Sequence, residues 1–520
     1  MSGHRSARSS ASSWSISART GSTISRSTNR NSPSPQARRR LSSRVNGRSS
    51  TFRSMTSRSK AAPIWRRSSS RLPTRGPYSW ITSSSTARVV QASGAWRSGG
   101  GSRDLEGNRL WKGVRRDDPD RPRPLANGIL RLIWEHKRMS RADIVQEEKL
   151  SRSTVSEVVG ELLRTGLIAE VGIGQSRGGR RPVILEFQDD AAVILGVEMG
   201  ATHVAVALTD LRGRVLAWHS RPHPVRNDPD GSRALVGELC DTCLTEAAAG
   251  RPLVGIGVAL ACPVDPSRPG EVSEMVLPAW EGRLGLEPLG RRLGVPLMVD
   301  NDANLGALAE HWWGVGRGIG NLAYVKVATG VGCGFVMNGD IYRGSTGVAG
   351  EIGHLAIAPQ GKQCMCGLRG CLATVVGTPA LIERTAELLA AHHESVLAGN
   401  HVTIEEIERA AIAGDTVARQ VVTEAAEYLG IAVAGLLNLM NPAMVVLGGH
   451  VAGLGELVLG PIRETVRQRT LVSQVTAAEL VTSKLGPQSI AIGAATMILK
   501  EALADCFLLV AVPGSGQAAS

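Results

Sequence analysis

The sequence predicts an α/β protein in two folded parts: a winged helix-turn-helix over 119–188 and a two-lobed nucleotide-type body over 189–505. Three observations carry this. Three apolar-faced helical segments are followed by a basic hairpin, three glycine-rich turns each adjoin an apolar strand, and the composition changes abruptly after the first hundred residues.

The chain has 520 residues and a formal charge of +13. Residues 1–100 hold 18 Arg, one Lys and 29 Ser with no Asp or Glu, so the positive charge belongs to that segment and the other 420 residues are net acidic at −6. Apolar residues there, such as Trp14, Ile64 and Trp80, are isolated. Such a segment buries too little apolar surface to offset its ordering entropy, so 1–118 is expected to be a low-complexity tail. Three readings of it stay open: a solvated arm with affinity for phosphates, a targeting peptide, or translation from an upstream start codon of sequence never selected as protein. The acidic body excludes a protein that coats nucleic acid through bulk charge. With no run of 18 or more apolar residues and no secretory h-region, the expectation is a cytoplasmic protein with no membrane partner.

The first folded element is a helix with Leu125, Ile129, Leu132 and Ile133 on one face, ending near Lys137. Ser140, three residues before Asp143, starts a short second helix in the manner of a capping box. Ser151 caps a third helix with an apolar stripe of Val155, Val158, Val159, Leu162 and Leu163, and Gly166 closes it. A strand over 167–171, a Gly/Arg-rich turn over 172–181 and a returning strand over 182–187 form the wing. The polar start of the third helix (Ser151, Arg152, Ser153, Thr154, Ser156) suits base edges in a major groove. Arg177, Arg180 and Arg181 suit phosphates or a minor groove. A small helical domain with solvated arginines is the plain alternative.

In the body, a buried strand beginning at Val193 runs into a turn carrying Glu198, Gly200 and Thr202, and a second strand over 204–208 follows at once. A second turn holds Thr329, Gly330 and Gly332, and a third holds Gly448 and Gly449 after a strand over 444–447. Three such turns suit a fold whose backbone N–H groups meet phosphates. Between the first two, after a strand over 296–299, stands Asn301-Asp302-Ala303-Asn304. Carboxylates and amides at a strand end can hold sugar hydroxyls, and one carboxylate can accept a hydroxyl proton. An Asx-rich helix cap is the alternative. Next come Gly350-Glu351-Ile352-Gly353-His354 and a cysteine loop. His354, Cys364, Cys366 and Cys371 make a Cys₃His set suited to tetrahedral, structural Zn²⁺, whereas disulfides fit a cytoplasmic chain poorly. Cys240, Cys243, Cys262 and Cys506 are scattered, the first two in a helical stretch. Trp312 and Trp313 read as core, helices are expected over 423–440 and 490–503, and 506–520 as a fraying tail.

The winged helix, Asn301-Asp302-Ala303-Asn304, the Gly-Glu-Ile-Gly-His motif and the Cys-x-Cys-Gly-x-x-Gly-Cys loop together resemble the ROK family (repressor, open reading frame, kinase) over about 120–505. The resemblance implies an actin-like ATPase-domain fold, with lobe 1 at about 189–303 plus 488–505 and lobe 2 at about 304–487. It implies that the position of Asp302 is the base in kinases, that Asn301, Glu351 and His354 hold the sugar, and that the zinc loop braces the histidine. Departures from the kinase pattern stand at Glu198, Ala201, His203, Ala328 and Ala373. Glu198 sets its carboxylate one methylene further out, Ala201 adds a Cβ where backbone should meet phosphate, and His203 replaces a lysine. Ala373 stands where kinases carry a sugar-touching glutamate. Phosphoryl transfer depends on positioning, so such faults multiply. The expected function is a sugar-responsive regulator, a repressor of carbohydrate-metabolism genes. It would bind operator DNA as a homodimer or higher homo-oligomer and respond to a sugar or sugar derivative. Two alternatives stay open. One is an ATP-dependent hexose or N-acetylhexosamine kinase that keeps a DNA-binding domain and uses ATP/Mg²⁺. The other is a non-catalytic scaffold.

Overall fold

A computed structural model describes residues 109–111, 124–174, 181–399, 401–470 and 478–510. Its first strand, β1 (Arg109–Trp111), belongs to a sheet of the body. The first domain then runs α1 (Pro124–His136), β2 (Arg138–Ser140), α2 (Arg141–Glu148), α3 (Arg152–Arg164), β3 (Ile168–Ile173) and β4 (Val183–Phe187). The capping box forms: Ser140 Oγ accepts from Asp143 N, and Asp143 Oδ2 accepts from Ser140 N at 3.0 Å. Lys137 and Gly166, in left-handed conformation, end α1 and follow α3 as expected. Two details differ from expectation. The buried stripe of α1 is Ala126, Ile129, Leu130 and Ile133, with Leu125 exposed, because the i, i+3, i+4, i+7 face starts one residue later. The wing is also a three-stranded antiparallel sheet, β2-β4-β3, not a bare hairpin.

The body repeats one topology twice. Its first unit is a meander of β5 (Val193–Met199), β6 (His203–Thr209) and β7 (Val215–Pro222). Then come α4 (Pro229–Ala247), β8 (Leu253–Leu260), α5 (Glu287–Leu293) and β9 (Leu297–Asn301). The sheet order is β1-β9-β8-β5-β6-β7, with β5, β8 and β9 mutually parallel. Helix α6 (Asp302–Trp312) leads to a second meander, β10 (Leu322–Val327), β11 (Val331–Met337) and β12 (Asp340–Tyr342). Helices α7 (Ala373–Val376), α8 (Thr378–Leu389), α9 (Ile404–Ala413) and α10 (Thr416–Met440) follow, then β13 (Met444–Gly449), α11 (Glu456–Arg469) and β14 (Glu479–Thr482). The second sheet, β12-β11-β10-β13-β14, again joins an antiparallel meander to two parallel strands. Parallel strands need crossover helices, and α4, α5 and the α7–α11 run supply them. Helix α10 is long and apolar enough to cross a membrane by composition, but most of it is buried in the core of the second lobe.

Helix α12 (Ser489–Ala504) returns to the first sheet and packs on β5, β8 and α6. The approach is so close that a Cβ on Gly257 would lie 1.9 Å from the Ala494 carbonyl oxygen, and one on Gly493 1.9 Å from that of Leu305. The chain then forms α13 (Phe507–Val510). Cys506, Leu508 and Leu509 are buried in one cluster with the apolar stripe of α1, and the Cys506 amide donates to Asn127 Oδ1 at 3.1 Å. So the expectation of a tail from 506 is corrected as far as 510: the chain is helical over Phe507–Val510, and Leu508 and Leu509 have a partner to pack on. Residues 511–520 lie outside the described residues, as do 1–108 and 112–123. Within the supposed tail, β1 is likewise paired, antiparallel to β9.

The DNA-type domain is held to the body by Trp134 of α1. Its ring meets Trp312 at 5.4 Å and Trp313 at 6.2 Å between centroids, and its Nε1 donates to the Leu211 carbonyl at 3.0 Å. The Arg212 guanidinium lies 4.5 Å over the ring and donates to the Trp134 carbonyl and to Asp189. Trp312 and Trp313 are thus packing residues at a domain junction. Trp134→Ala is expected to destabilise this junction by about 2–4 kcal/mol. Scanning calorimetry should then show the winged-helix transition leave that of the body; an unchanged endotherm would refute the assignment.

Candidate functional site

A cavity of about 960 Å³ opens between the two body sheets and gathers most of the residues singled out from the sequence. Glu198, Gly200 and Thr202 line it after β5, Asn301 and Asp302 at the β9–α6 junction, and Thr329, Gly330 and Gly332 at the β10–β11 turn. Glu351, His354 and Gly449 complete the set, and Ala373 lines it too. Gly448 does not line it. A Cβ there would lie 2.0 Å from the Tyr324 hydroxyl, so packing against that ring accounts for the glycine.

Local structure explains how each polar group is aimed. Asn301 is the N-cap of α6: its Oδ1 accepts from Ala303 N at 2.9 Å and Asn304 N at 3.3 Å, while its Nδ2 donates to the Cys262 carbonyl. The Asx-cap reading is therefore realised at Asn301, and the cap points Asp302 into the cavity. Behind it, Asp300 is fully buried and accepts two bonds from Arg343, at 2.9 and 2.6 Å, with further bonds from Asn301 N and Asn304 Nδ2. Gly350, at φ +97°, packs so tightly on β11 that a Cβ would lie 1.7 Å from the Cys333 carbonyl oxygen. This contact sets Glu351 and His354 at the cavity wall, with Glu351 Oε2 4.0 Å from His354 Nε2. Burial, then the Asp302 charge, pushes the Glu351 carboxyl above its usual range.

One charged residue was missed in the sequence. Lys326 sits on β10 in the run Tyr324-Val325-Lys326-Val327, and its Nζ lies 2.6 Å from Asp302 Oδ2 and 3.3 Å from Glu198 Oε1. Burial alone would lower its pKa, but Asp302 and Glu198 outweigh that and hold the ammonium above its ordinary value. Burial likewise works to raise Glu198, and Lys326 and His203 override it, leaving the carboxyl below its usual range. The available signal was a lysine in an otherwise apolar strand, since lysine is almost never buried unless paired. His203 folds back over the first glycine-rich turn. Its ring would clash with a Cβ on Gly200 at 2.5 Å, and its Nε2 stands 3.6 Å from Glu198 Oε1.

The cysteine loop meets His354 as the spacing predicts. The ligand atoms of His354, Cys364, Cys366 and Cys371 all lie within 4.8 Å of one another. Cys364 Sγ is 3.6 Å from His354 Nδ1, and Cys366 Sγ is 3.6 Å from Cys371 Sγ. Tetrahedral zinc with bonds of about 2.0–2.3 Å has ligand–ligand edges of roughly 3.3–3.8 Å, so the donor set fits such an ion. Nδ1 faces the sulfurs, and Nε2 is left toward Glu351 and the cavity.

On the winged helix, Ser151 is a cap: its Oγ accepts from Thr154 N at 3.1 Å and lies 2.8 Å from the Ser153 and Thr154 hydroxyls. Arg152, Ser153 and Ser156 are exposed beside it, Thr154 is half-buried, and Arg181 is exposed at the base of the wing. Arg177 and Arg180 lie outside the described residues.

The ROK family pattern matches residues 194–501, and a winged helix-turn-helix DNA-binding pattern matches 125–169. The chain belongs to the ROK family. Among relatives, the xylose repressor of Caldicellulosiruptor bescii is 30% identical over 72% of this chain and 95% of its own length. The DNA-binding transcriptional dual regulator NagC of Escherichia coli K12 is 31% identical over 73% and 93%. A solved ROK family transcriptional regulator, a homolog of the E. coli MLC protein, superposes with TM-score 0.64 and 28% identity over 74% of this chain and 98% of its own. A ROK family glucokinase from Streptomyces griseus, solved with glucose and AMPPNP, gives TM-score 0.53 and 28% identity over 59% and 99%. The fold is thus the actin-like ROK kinase fold behind a winged helix, and the likeness to the regulator extends over more of the chain. Within this ROK body, Cys366→Ala is expected to lower bound zinc from about one ion per chain toward none and to lower Tm by several degrees. Elemental analysis after dialysis and calorimetry check this; unchanged zinc content would refute the ligand set.

Proposed function

We propose that this protein is a sugar-responsive DNA-binding regulator, a repressor of carbohydrate-metabolism genes, that works in the cytoplasm as a homodimer on a palindromic operator. One observation carries the reading. Helix α6 begins at the cavity with Asp302 and ends at Trp312, which with Trp313 stacks on Trp134 of the DNA-type domain. A buried helix moves as a unit, so an event at its first turn is felt at the junction. The relatives, a xylose repressor and a DNA-binding transcriptional dual regulator, match over 72% and 73% of this chain, more than the body alone, which supports the same reading.

In this reading Asp302, Glu351 and His354 hold the sugar, and Asn301 positions Asp302 by capping its helix. Zn²⁺, held by His354 Nδ1 and the three thiolates, would fix the imidazole tautomer so that Nε2–H faces the ligand. Glu198, Gly200, Thr202, Thr329, Gly330, Gly332 and Gly449 are remnants of a nucleotide site, with Gly448 kept for packing. Arg152, Ser153, Thr154 and Ser156 face base edges from two third helices, one helical turn of DNA apart, with Ser151 as their cap. Arg181, with Arg177 and Arg180, faces phosphates. Sugar binding selects one separation of the lobes, and so one operator affinity, as a population shift.

DNase footprinting upstream of sugar-utilisation genes, with a panel of xylose, glucose and N-acetylglucosamine, is expected to show protection that one sugar alters. No protection under any condition would overturn the proposal, as would steady ADP release with any sugar in a coupled assay. Arg152→Ala is expected to weaken operator binding by about 1–3 kcal/mol while leaving sugar-induced thermal shifts in place. Unchanged affinity in gel-shift titrations would remove Arg152 from the interface.

A further inference from the structure

Two carboxylates from different parts of the fold converge at the floor of the cavity. Glu198 ends β5 in the first sheet, and Asp302 opens α6. Each is almost entirely buried, and both reach the same atom, the Lys326 ammonium on β10 of the second sheet. Paired carboxylates at the mouth of glycine-rich turns have the chemistry of a divalent-cation site. Mg²⁺ or Mn²⁺ would need their oxygens at about 2.0–2.2 Å in an octahedral shell. Here the ammonium already stands between them. A divalent ion between those oxygens would have to displace the ammonium, which already bonds to both carboxylates, and would leave it buried without its partners. The residues present therefore do not fit a metal–nucleotide.

We propose that Lys326 is a specificity-determining residue, a built-in cation that fills the divalent-metal position and makes the cleft bind its sugar without metal or nucleotide. This rests on the sugar-effector reading above. The ammonium has three donors. Two are used by Asp302 and Glu198, and the third is left for an acceptor in the cavity, which Lys326 lines. Asp302, tied through Oδ2, keeps Oδ1 for a sugar hydroxyl. An aspartate so engaged is held with Oδ1 as a fixed hydrogen-bond acceptor. Lys326 also joins the two sheets across the cleft, so a sugar that bonds to it bears on both lobes.

The test uses the full-length, zinc-loaded chain and Mn²⁺ as probe, read by electron paramagnetic resonance, with sugar binding read by thermal shift. Wild type is expected to take up no Mn²⁺ dependent on Glu198, and its sugar response is expected to be the same with EDTA-free buffer alone and with added Mg²⁺ and ATP. Lys326→Met, with zinc content and circular dichroism unchanged, is expected to gain a Mn²⁺ site at least roughly ten-fold tighter than any in wild type. Lys326→Met/Glu198→Gln is expected to lose it. Three results overturn the proposal: a Glu198-dependent Mn²⁺ site in wild type, a wild-type sugar response that requires Mg²⁺ and ATP, or a folded Lys326→Met that gains no Mn²⁺. The wild-type arms decide the matter if Lys326→Met does not fold. If no sugar binds under any condition while the Mn²⁺ results are as expected, the sugar-effector reading fails and the filled cation position stands.

Discussion

The burial of helix α6 is the constraint on which the rest of the structure depends. Residues Asp302 to Glu310 are all buried, because the helix is wedged between the second sheet on one side and α12 on the other. A helix enclosed on all sides tolerates only close neighbours. Gly493 gives it the Leu305 carbonyl as a contact surface, and Gly334 admits the Ala303 carbonyl, which would lie 2.2 Å from a Cβ there. The first N–H groups of the helix need acceptors beyond the helix itself. Asn301 does that work through Ala303 and Asn304. A capped helix start in a glycine-lined setting is how a strand end comes to present one carboxylate into a cavity at a defined angle.

The electrostatics of the cleft follow from the same burial. Four charged groups, Asp300, Asp302, Glu198 and Lys326, lie within the protein near that helix start, and each has an assigned partner. Asp300 Oδ2 accepts from two nitrogens of Arg343, and Asp302 shares Lys326 with Glu198. Buried charges are tolerated only in such sets, because removing one partner leaves the other uncompensated. The network therefore resists gradual drift of the first-turn geometry. It also ties the two sheets together through side chains, in addition to the α6 backbone that links β9 to β10.

Much of the fold was legible from local patterns. Ser140 and Asp143, Ser151, and Gly166 announced helix ends that the structure contains, because caps depend on residues adjacent in sequence. The Cys₃His set was legible because its ligands lie within one loop and its neighbour. Other features were not. Leu125 was expected on the buried face, and Ala126 is there instead, since the buried i, i+3, i+4, i+7 face starts one residue later. Residues 506–510 read as a tail because a short apolar run means little without the α1 stripe that clusters with Leu508 and Leu509. The third wing strand β2 is only three residues long and owes its existence to β4.

The sequence by itself determined the order of the elements, the family, the cluster of one histidine and three cysteines and the glycine-rich turns, because each is written in residues close along the chain or in a pattern of types. Tertiary structure alone decided two things: that Trp134 meets Trp312 and Trp313, and that Lys326 stands between Glu198 and Asp302. The last pairs span 178, 128 and 24 positions in the numbering. Contacts at such separations are set by how sheets and helices stack, and side-chain periodicity carries no record of the partner. The reading of this chain as a sensor rather than a catalyst turns on those long-range contacts.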